Sequence, residues 1–484
     1  MSLASAPHHE GCANCSTHYP IDLPDELVDA ARRRELVLFA GAGISTEKPG
    51  LFPETFYEEI EARVRETPSD DTFPEVMQAF EDRFGRADLL RTLIERLDYV
   101  YTFQSLLNRT TAFHQEIATI TQLDALFTTN WDDFFERFSG ARPFVLDEDF
   151  AFFGIPGRRV MKLHGSVSNL SSIVATSEDY DRRASDLIES VMGAKLRDYL
   201  ATKTVVFVGY SLSDSDFRNI YSTVLGRMGR LRRRAYLVTP VDAAVAGEYG
   251  LEHLRTDGGH FAHILKSRLE ESGEHVPDGN LDRADWLHSV VLGAHVASET
   301  LVAVPGAFGA FTQSYQDGLL AALGRIRLLR TRGEYSDPER VSSVVHDYAH
   351  LFVKAIGLRR YYDACYIEGY MIGTLSLLLD DDQVRRIPIV QVFGDPAYRS
   401  PRTDPHRVFE VPWWNADSGP SVGDYLREGN AVRQAPTDWL RATALSGSKR
   451  ARRSPGLTAE HRTVLESLSP GAVPQHSEFL DGIL

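Results

Sequence analysis

The sequence predicts a doubly wound α/β domain with a parallel sheet, followed from about residue 280 by a mainly helical region. Three observations carry that expectation. Short, mostly apolar runs of strand length recur at Leu36–Ala40, Ala125–Thr128, Arg159–Leu163, Thr204–Val208 and Arg234–Val238. Stretches of helical length separate them, and strands alternating with helices imply βαβ units. Beyond about residue 280 the apolar spacing becomes three and four, as in Val341, Val344, Val345, Tyr348, Leu351, Phe352 and Ala355, which is the period of a helix face.

Each element has its own signal. Residues 1–20 are polar and aperiodic and read as a flexible tail. Pro24 to Arg34 opens with proline and acidic residues, as helix N-termini prefer. Leu36–Ala40 is a continuous apolar run, suited to a strand buried on both faces. A helical stretch from about Phe73 to Leu97 and a second helix near Phe113–Ile120 lead to the next strand, and a short helix is expected over Asp133–Phe138. After the Thr204–Val208 run, Phe217, Ile220, Tyr221, Val224 and Leu225 fall on one helical face. Ala364–Leu379 is apolar nearly all round and reads as a buried helix, whereas residues 396–424 read as loop. The expected organisation is a tail (1–20), an α/β domain (21–275) and a helical domain for oligomer or partner contacts (276–484).

Composition narrows the function classes. The chain has 484 residues, 43% hydrophobic and 25% charged, with a formal net charge of −16. That balance disfavours wrapping nucleic acid, which needs many phosphate-neutralising Lys and Arg. The short basic runs Arg230–Arg234 and Lys449–Arg453 leave contact with nucleic acid only through themselves or through a partner. No apolar run reaches the roughly 18 residues that a membrane span requires, and the N-terminus lacks the pattern of a secretory signal. Three cysteines cannot build a disulfide framework and suit a reducing cytoplasm. Cys12, Cys15 and the nearby His8, His9 and His18 leave a tail zinc site open, although no fourth well-spaced ligand is evident. His346 and His350 lack a third ligand and read as a polar helix edge, and the α/β domain, which has no cysteine pairs, is expected to need no metal.

Ligands of doubly wound sheets bind at the carboxyl ends of the strands, and the chemistry-bearing clusters all lie there. They are Gly41-Ala42-Gly43-Ile44-Ser45, Thr129-Asn130-Trp131-Asp132, His164-Gly165 and Gly209-Tyr210-Ser211, with Thr239 after the last run. Taken singly, each has a plain structural use: a tight turn, a helix cap, or a satisfied histidine. Taken together and in this order, GAGIS, TTNWD, KLHG and GYSLSD resemble the sirtuin family, in particular the Sir2-type domains of bacterial antiphage defence proteins. The resemblance covers about residues 25–270.

It implies a Rossmann-like domain that binds NAD as a substrate and cleaves its nicotinamide–ribose bond. Gly41, Ala42, Gly43 and Ser45 would line the diphosphate and nicotinamide-ribose side. Asn130 would fix the ribose or an attacking water, and Asp132 would face the nicotinamide carboxamide. His164 would act as general base. Gly209 and Ser211 would contact the adenosine half, and Thr239 the adenine ribose. An Asn amide can hold hydroxyls without titrating, and a His can accept a proton near neutral pH.

Three departures bear on the activity. Deacylating sirtuins carry a zinc ribbon of paired CxxC motifs that is missing here. Their GIPDFR stretch is Gly50-Leu51-Phe52-Pro53-Glu54-Thr55-Phe56, without the Arg, and the Gln before the catalytic Asn is Thr129. These changes favour NAD hydrolysis to nicotinamide and ADP-ribose over protein deacylation. The expected setting is a regulated, cytoplasmic, homo-oligomeric antiviral effector that depletes cellular NAD. A HerA-like ATPase or a phage-derived activator is the expected kind of partner. The alternatives are a nucleotide-binding sensor or assembly subunit with little turnover, and a deacylase or ADP-ribosyltransferase.

Overall fold

The computed structural model describes residues 21–48, 50–210, 215–241, 244–300, 307–358, 360–394 and 408. The chain divides into two units, Met1–Glu274 with Thr331–Gly333, and His275–Arg330 with Glu334–Leu484.

In the first unit the elements run α1 (Asp25–Arg32), β1 (Leu36–Ala40), α2 (Phe56–Val64), α3 (Phe73–Phe84), α4 (Arg86–Thr102), α5 (Gln104–Thr119), β2 (Ala125–Thr128), α6 (Phe134–Ser139), β3 (Arg142–Phe144) and β4 (Arg159–Lys162). They continue with α7 (Ser177–Glu189), α8 (Val191–Thr202), β5 (Thr204–Val208), α9 (Ser215–Met228), β6 (Ala235–Val238), α10 (Ala244–Glu248), β7 (Glu252–Leu254) and α11 (Gly258–Glu271). The seven strands form one sheet in the order β3-β4-β2-β1-β5-β6-β7, parallel throughout. The fold is the Rossmann-like, doubly wound sheet that the apolar runs predict.

Alternation along β1 explains why both faces are covered. Leu36, Leu38 and Ala40 pack with Phe113 and Ile117 of α5 and Phe261 and Leu265 of α11. Val37 and Phe39 point the other way, toward Leu196 of α8 and Tyr221 and Val224 of α9. Full burial of each large apolar side chain contributes about 1.5–3 kcal/mol, so the central strands hold the unit together. A third cluster joins α2, α3 and α4 through Phe56, Ile60, Met77, Phe80 and Leu93, and reaches Phe134 of α6.

The structure departs from the sequence reading at several boundaries. The helical stretch from Phe73 is two helices, because Gly85 adopts φ 86° and turns the chain between them. The helix placed near Phe113 begins at Gln104, and the short helix after β2 is Phe134–Ser139. β3 and β7 were not expected: each is three residues long, lies at a sheet edge and carries charged or polar residues.

The second unit is helical: α12 (Asp278–Thr300), α13 (Ala307–Leu329), α14 (Pro338–Gly357), α15 (Tyr361–Leu375), α16 (Asp381–Arg385) and α17 (Pro388–Phe393). Val341, Val345, Phe352 and Ala355 are buried on one face of α14, as their spacing predicts. The apolar helix read over Ala364–Leu379 is α15, which stops at Leu375; Leu377 and Leu379 remain buried beyond its end. α13 and α15 approach so closely that a Cβ on Gly369 would lie 2.0 Å from the Tyr315 carbonyl oxygen.

Cys12, Cys15, Trp413, Trp414 and Lys449–Arg453 lie outside the described residues. Within the other basic run, Arg233 approaches Glu35 at 3.9 Å, and Arg234 pairs with Glu26 at 2.8 Å. His346 and His350 meet edge to face, 5.8 Å apart. Among the described residues no group of His, Cys, Asp and Glu could hold a metal ion, and no helix is long and apolar enough to cross a membrane.

Candidate functional site

Strand register sets the level of every candidate residue. Leu254, Val238, Val208, Ala40, Thr128 and Lys162 form one row across β7, β6, β5, β1, β2 and β4 at the carboxyl ends of the strands. Gly41, Gly209 and Thr239 each stand one residue beyond that row. Asn130 and His164 each stand two beyond it, on the neighbouring strands β2 and β4. After β1 the chain adds β2, β3 and β4 on one side and then returns to place β5 on the other, so β1 and β5 flank the topological switch point. Such a point opens the crevice in which ligands of this sheet type bind.

Asn130 is buried and tightly oriented. Its backbone N–H donates to Thr128 Oγ1 at 3.0 Å, and Thr128 Oγ1 donates to the Ala40 carbonyl at 2.9 Å. The side-chain Nδ2 donates to the Gly41 carbonyl at 3.1 Å. The amide's donor end is thereby fastened to the end of β1. Its carbonyl oxygen, Oδ1, is buried with no hydrogen-bond donor among the described residues. A buried, unsatisfied acceptor costs about 1–3 kcal/mol, and a ligand hydroxyl would relieve that cost.

Ser45 and Asp132 are brought together and bond to each other. The Ser45 hydroxyl donates to Asp132 Oδ2 at 2.7 Å, and the Phe134 N–H donates to Oδ1 at 3.2 Å. Asp132 therefore clamps the turn after β1 to the turn after β2 and leads into α6. Asp133 binds Tyr101, and Arg137 donates to it at 2.7 Å.

The Gly41–Ser45 turn is shaped by packing. Gly41 N–H donates to the Val208 carbonyl and Gly43 N–H to the Gly209 carbonyl, both at 3.0 Å. A Cβ on Gly41 would fall 2.5 Å from the Gly209 oxygen, and Gly209 itself takes φ 59°. The glycines thus let two strand ends touch, and of this turn Ala42 is the exposed tip. Thr239 is half-buried, and its carbonyl meets His253 Nε2 at 3.1 Å. Ser211 lies outside the described residues.

His164 is buried and held from three sides. Its carbonyl accepts from Val174 N–H at 3.0 Å. The preceding Leu163 carbonyl accepts from Arg183 Nε of α7 at 2.6 Å, and the Tyr180 ring meets the imidazole edge on at 4.9 Å. Gly165 follows at φ 84°, where a Cβ would come 2.1 Å from the Ser172 oxygen. Gly165→Ala is expected to displace the 165–172 loop and cost more than about 2 kcal/mol of stability, because it combines positive-φ strain with overlap. A denaturant titration checks it; a change under 0.5 kcal/mol would count against the assignment.

Several residues escaped sequence reasoning because their signal is purely spatial. Lys162 is fully buried; its Nζ donates to the Asp132 carbonyl and to Glu136 Oε1 at 3.2 Å, bracing the turn that carries Asn130. Burial raises the Glu136 carboxyl above its ordinary range, and Lys162 pulls it back. His114 of α5 is wholly buried against Phe113, Phe134 and Phe135. Burial pushes its pKa down to about 4, with Asp132 opposing and Lys162 assisting.

In the unfolded chain His114 titrates near 6.5, so between about 6.5 and 4 the unfolded state binds the extra proton. Its contribution to stability is complete above 6.5 and lost as pH falls toward 4. His114→Phe is expected to shrink the stability difference between pH 7.5 and pH 5, measured by denaturant unfolding. An unchanged difference would show that His114 does not set it.

Comparison with known proteins agrees with this geometry. A family model described as "SIR2-like domain" matches residues 124–255, the stretch from β2 to just past β7. The chain is 26% identical over 222 residues to the "NAD(+) hydrolase ThsA" of Cytobacillus dafuensis, covering 44% of this chain and 42% of that protein. It is 27% identical over 314 residues to "Uncharacterized protein y4cA" of Sinorhizobium fredii, covering 57% of this chain and 26% of that protein. The chain thus spans less than half the length of either relative. The buried Asn and His at neighbouring strand exits and the family match lead to one conclusion: this chain carries a sirtuin-like, SIR2-type domain.

Proposed function

We propose that the domain hydrolyses NAD to nicotinamide and ADP-ribose. The observation that carries this reading is the buried Oδ1 of Asn130, which meets no hydrogen-bond donor among the described residues and stands at the strand exit next to that of His164. An acceptor in that place suits a ribose hydroxyl or a water molecule. The C1′–N bond breaks with its electron pair leaving on nicotinamide, which departs neutral, so positive charge builds on C1′ and the ribose ring oxygen as the base departs. Water then forms the C1′–O bond, and His164 is placed to receive its proton, as general-base catalysis requires. Similarity to a protein named as an NAD hydrolase supports the same reading. The Ser45–Asp132 bond ties together the turns after β1 and β2 that carry Gly41 and Asn130, and the Gly41–Ser45 and Gly209 turns, with Thr239, would border the dinucleotide.

Quantifying nicotinamide and ADP-ribose after incubation with NAD tests the proposal, with the protein alone and with candidate activators. A chain that binds NAD without releasing nicotinamide under any condition would instead be a nucleotide-binding sensor. By extension from the resemblance, the enzyme would serve as a regulated antiphage effector that depletes NAD in the cytoplasm. It would act as a homo-oligomer, and its trigger would be a HerA-like ATPase or a phage-derived activator. NAD loss in infected cells that disappears in Asn130→Ala would support that role.

A further inference from the structure

The segment between β1 and α2 is fastened next to Asn130 at both ends. At its start Ser45 is bonded to Asp132. At its end the Phe56 ring stands edge on to Trp131, 6.0 Å between centroids. Trp131 is the neighbour of Asn130, so the chain from Ser45 to Phe56 leaves and rejoins the Asn130 turn.

One side chain from a different element holds this segment. Arg96 of α4 has a side chain only 7% exposed. Its guanidinium donates to the Glu54 carbonyl at 2.9 Å, to Glu47 Oε1 at 3.3 Å and to Glu59 Oε2 at 3.2 Å. It also stacks over the Phe52 ring at 3.9 Å. The second oxygen of Glu47 accepts from Phe56 N–H at 2.8 Å, which ties the same carboxylate to the far end of the segment. A planar fork that pairs with carboxylates and stacks on an aromatic ring cannot be replaced by a lysine without loss. The two carboxylates also compensate a cation that would otherwise be costly to bury.

We infer that Arg96 is a positioning residue: it fixes the Gly50–Phe56 segment as the wall beside Asn130 and so controls which nucleophile reaches the ribose carbon. The inference rests on the proposed NAD chemistry. With the wall in place, the oxygen that forms the new C1′–O bond comes from water, nicotinamide leaves with the bonding pair, and the water proton passes to His164. With the wall loosened, a small alcohol competes by the same route, and its hydroxyl proton takes the same path.

The test compares wild type, Arg96→Ala, Arg96→Lys and Phe52→Leu with NAD in buffer containing methanol. Products are resolved as ADP-ribose and its 1-O-methyl form, and folding is followed by circular dichroism. Arg96→Ala is expected to raise KM about tenfold or more, since small misplacements near a reacting centre have effects up to about 100-fold. It is also expected to raise the methyl fraction at least twofold, with Arg96→Lys recovering part of both changes. Wild-type KM and product ratio in a folded Arg96→Ala would overturn the inference.

If Arg96→Ala does not fold, Phe52→Leu decides by the same product ratio, because it removes the stacking and keeps the ion pairs. If wild type binds NAD without releasing nicotinamide, the hydrolase reading fails, and Arg96 is then judged by NAD affinity in calorimetry. A tenfold loss in Arg96→Ala sustains the wall, and an unchanged affinity removes it. Failure of wild type to bind NAD at all overturns both.

Discussion

In Asn130→Ala, nicotinamide release is expected to fall by about 10²–10³-fold, the usual effect of deleting one oriented polar group that acts on the transition state. His164→Ala should fall by about 10²–10⁴-fold, the range for a lost general base. Both variants should remain folded. Asn130 forfeits one side-chain hydrogen bond, to the Gly41 carbonyl, worth about 1 kcal/mol, and in exchange the unsatisfied Oδ1 is removed. His164 is anchored through its own carbonyl and that of Leu163, and an alanine keeps both. Steady-state release of nicotinamide, together with thermal unfolding of each variant, checks the pair. A rate within threefold of wild type in either folded variant would remove that residue from the chemistry. If the two substitutions act on one step, the double variant should be little slower than the worse single one.

Lys162→Met is expected to be the most destabilising single change at the site, by about 3–5 kcal/mol, because it strands the buried Glu136 carboxylate. For a unit of this size that corresponds to a melting temperature lower by roughly 10 °C. The loss should depend on pH. Burial already holds the Glu136 carboxyl above its ordinary range, and Lys162 is the cation that opposes it. Without the ammonium group the folded-state pKa rises further, so the folded chain keeps a proton that the unfolded chain has released. Stability then falls as pH rises through that interval, and the deficit is smaller at pH 5 than at pH 8. Denaturant midpoints at the two pH values measure it. Glu136→Gln added to Lys162→Met should restore part of the loss, whereas a deficit independent of pH and of Glu136 would show that Lys162 acts through packing alone.

The central sheet was legible because burial on both faces leaves a local mark: Leu36–Ala40 and Thr204–Val208 are apolar at nearly every position. The edge strands were not. β3 and β7 have only three residues each and expose polar side chains, so no run marks them. Asn130 and His164 could be grouped because strand ends share one rim, a rule of topology that needs no distances.

The supports of the site were hidden for a different reason. Lys162, Glu136 and His114 come from β4, α6 and α5, and each looks ordinary in its own window. Only the fold shows that a lysine sits fully buried in β4. Arg96 is similar: its contacts lie 37 to 49 positions away in sequence, beyond any periodicity. The close packing of Gly41 and Gly43 on Gly209 is likewise invisible in any local window, because it joins the ends of two strands far apart in sequence.

The position of β1 between β2 and β5 has a consequence for how the protein is made. During synthesis the β1 turn emerges early, but the Val208 and Gly209 carbonyls that receive its Gly41 and Gly43 amides are translated only after Lys203. Domains fold as units once their residues are available, and pairings between distant segments form late. A nascent chain that has produced Asn130 and His164 therefore still lacks the strand that completes one wall of the crevice. The rim that carries Asn130 and His164 is thus not closed until translation has passed Gly209.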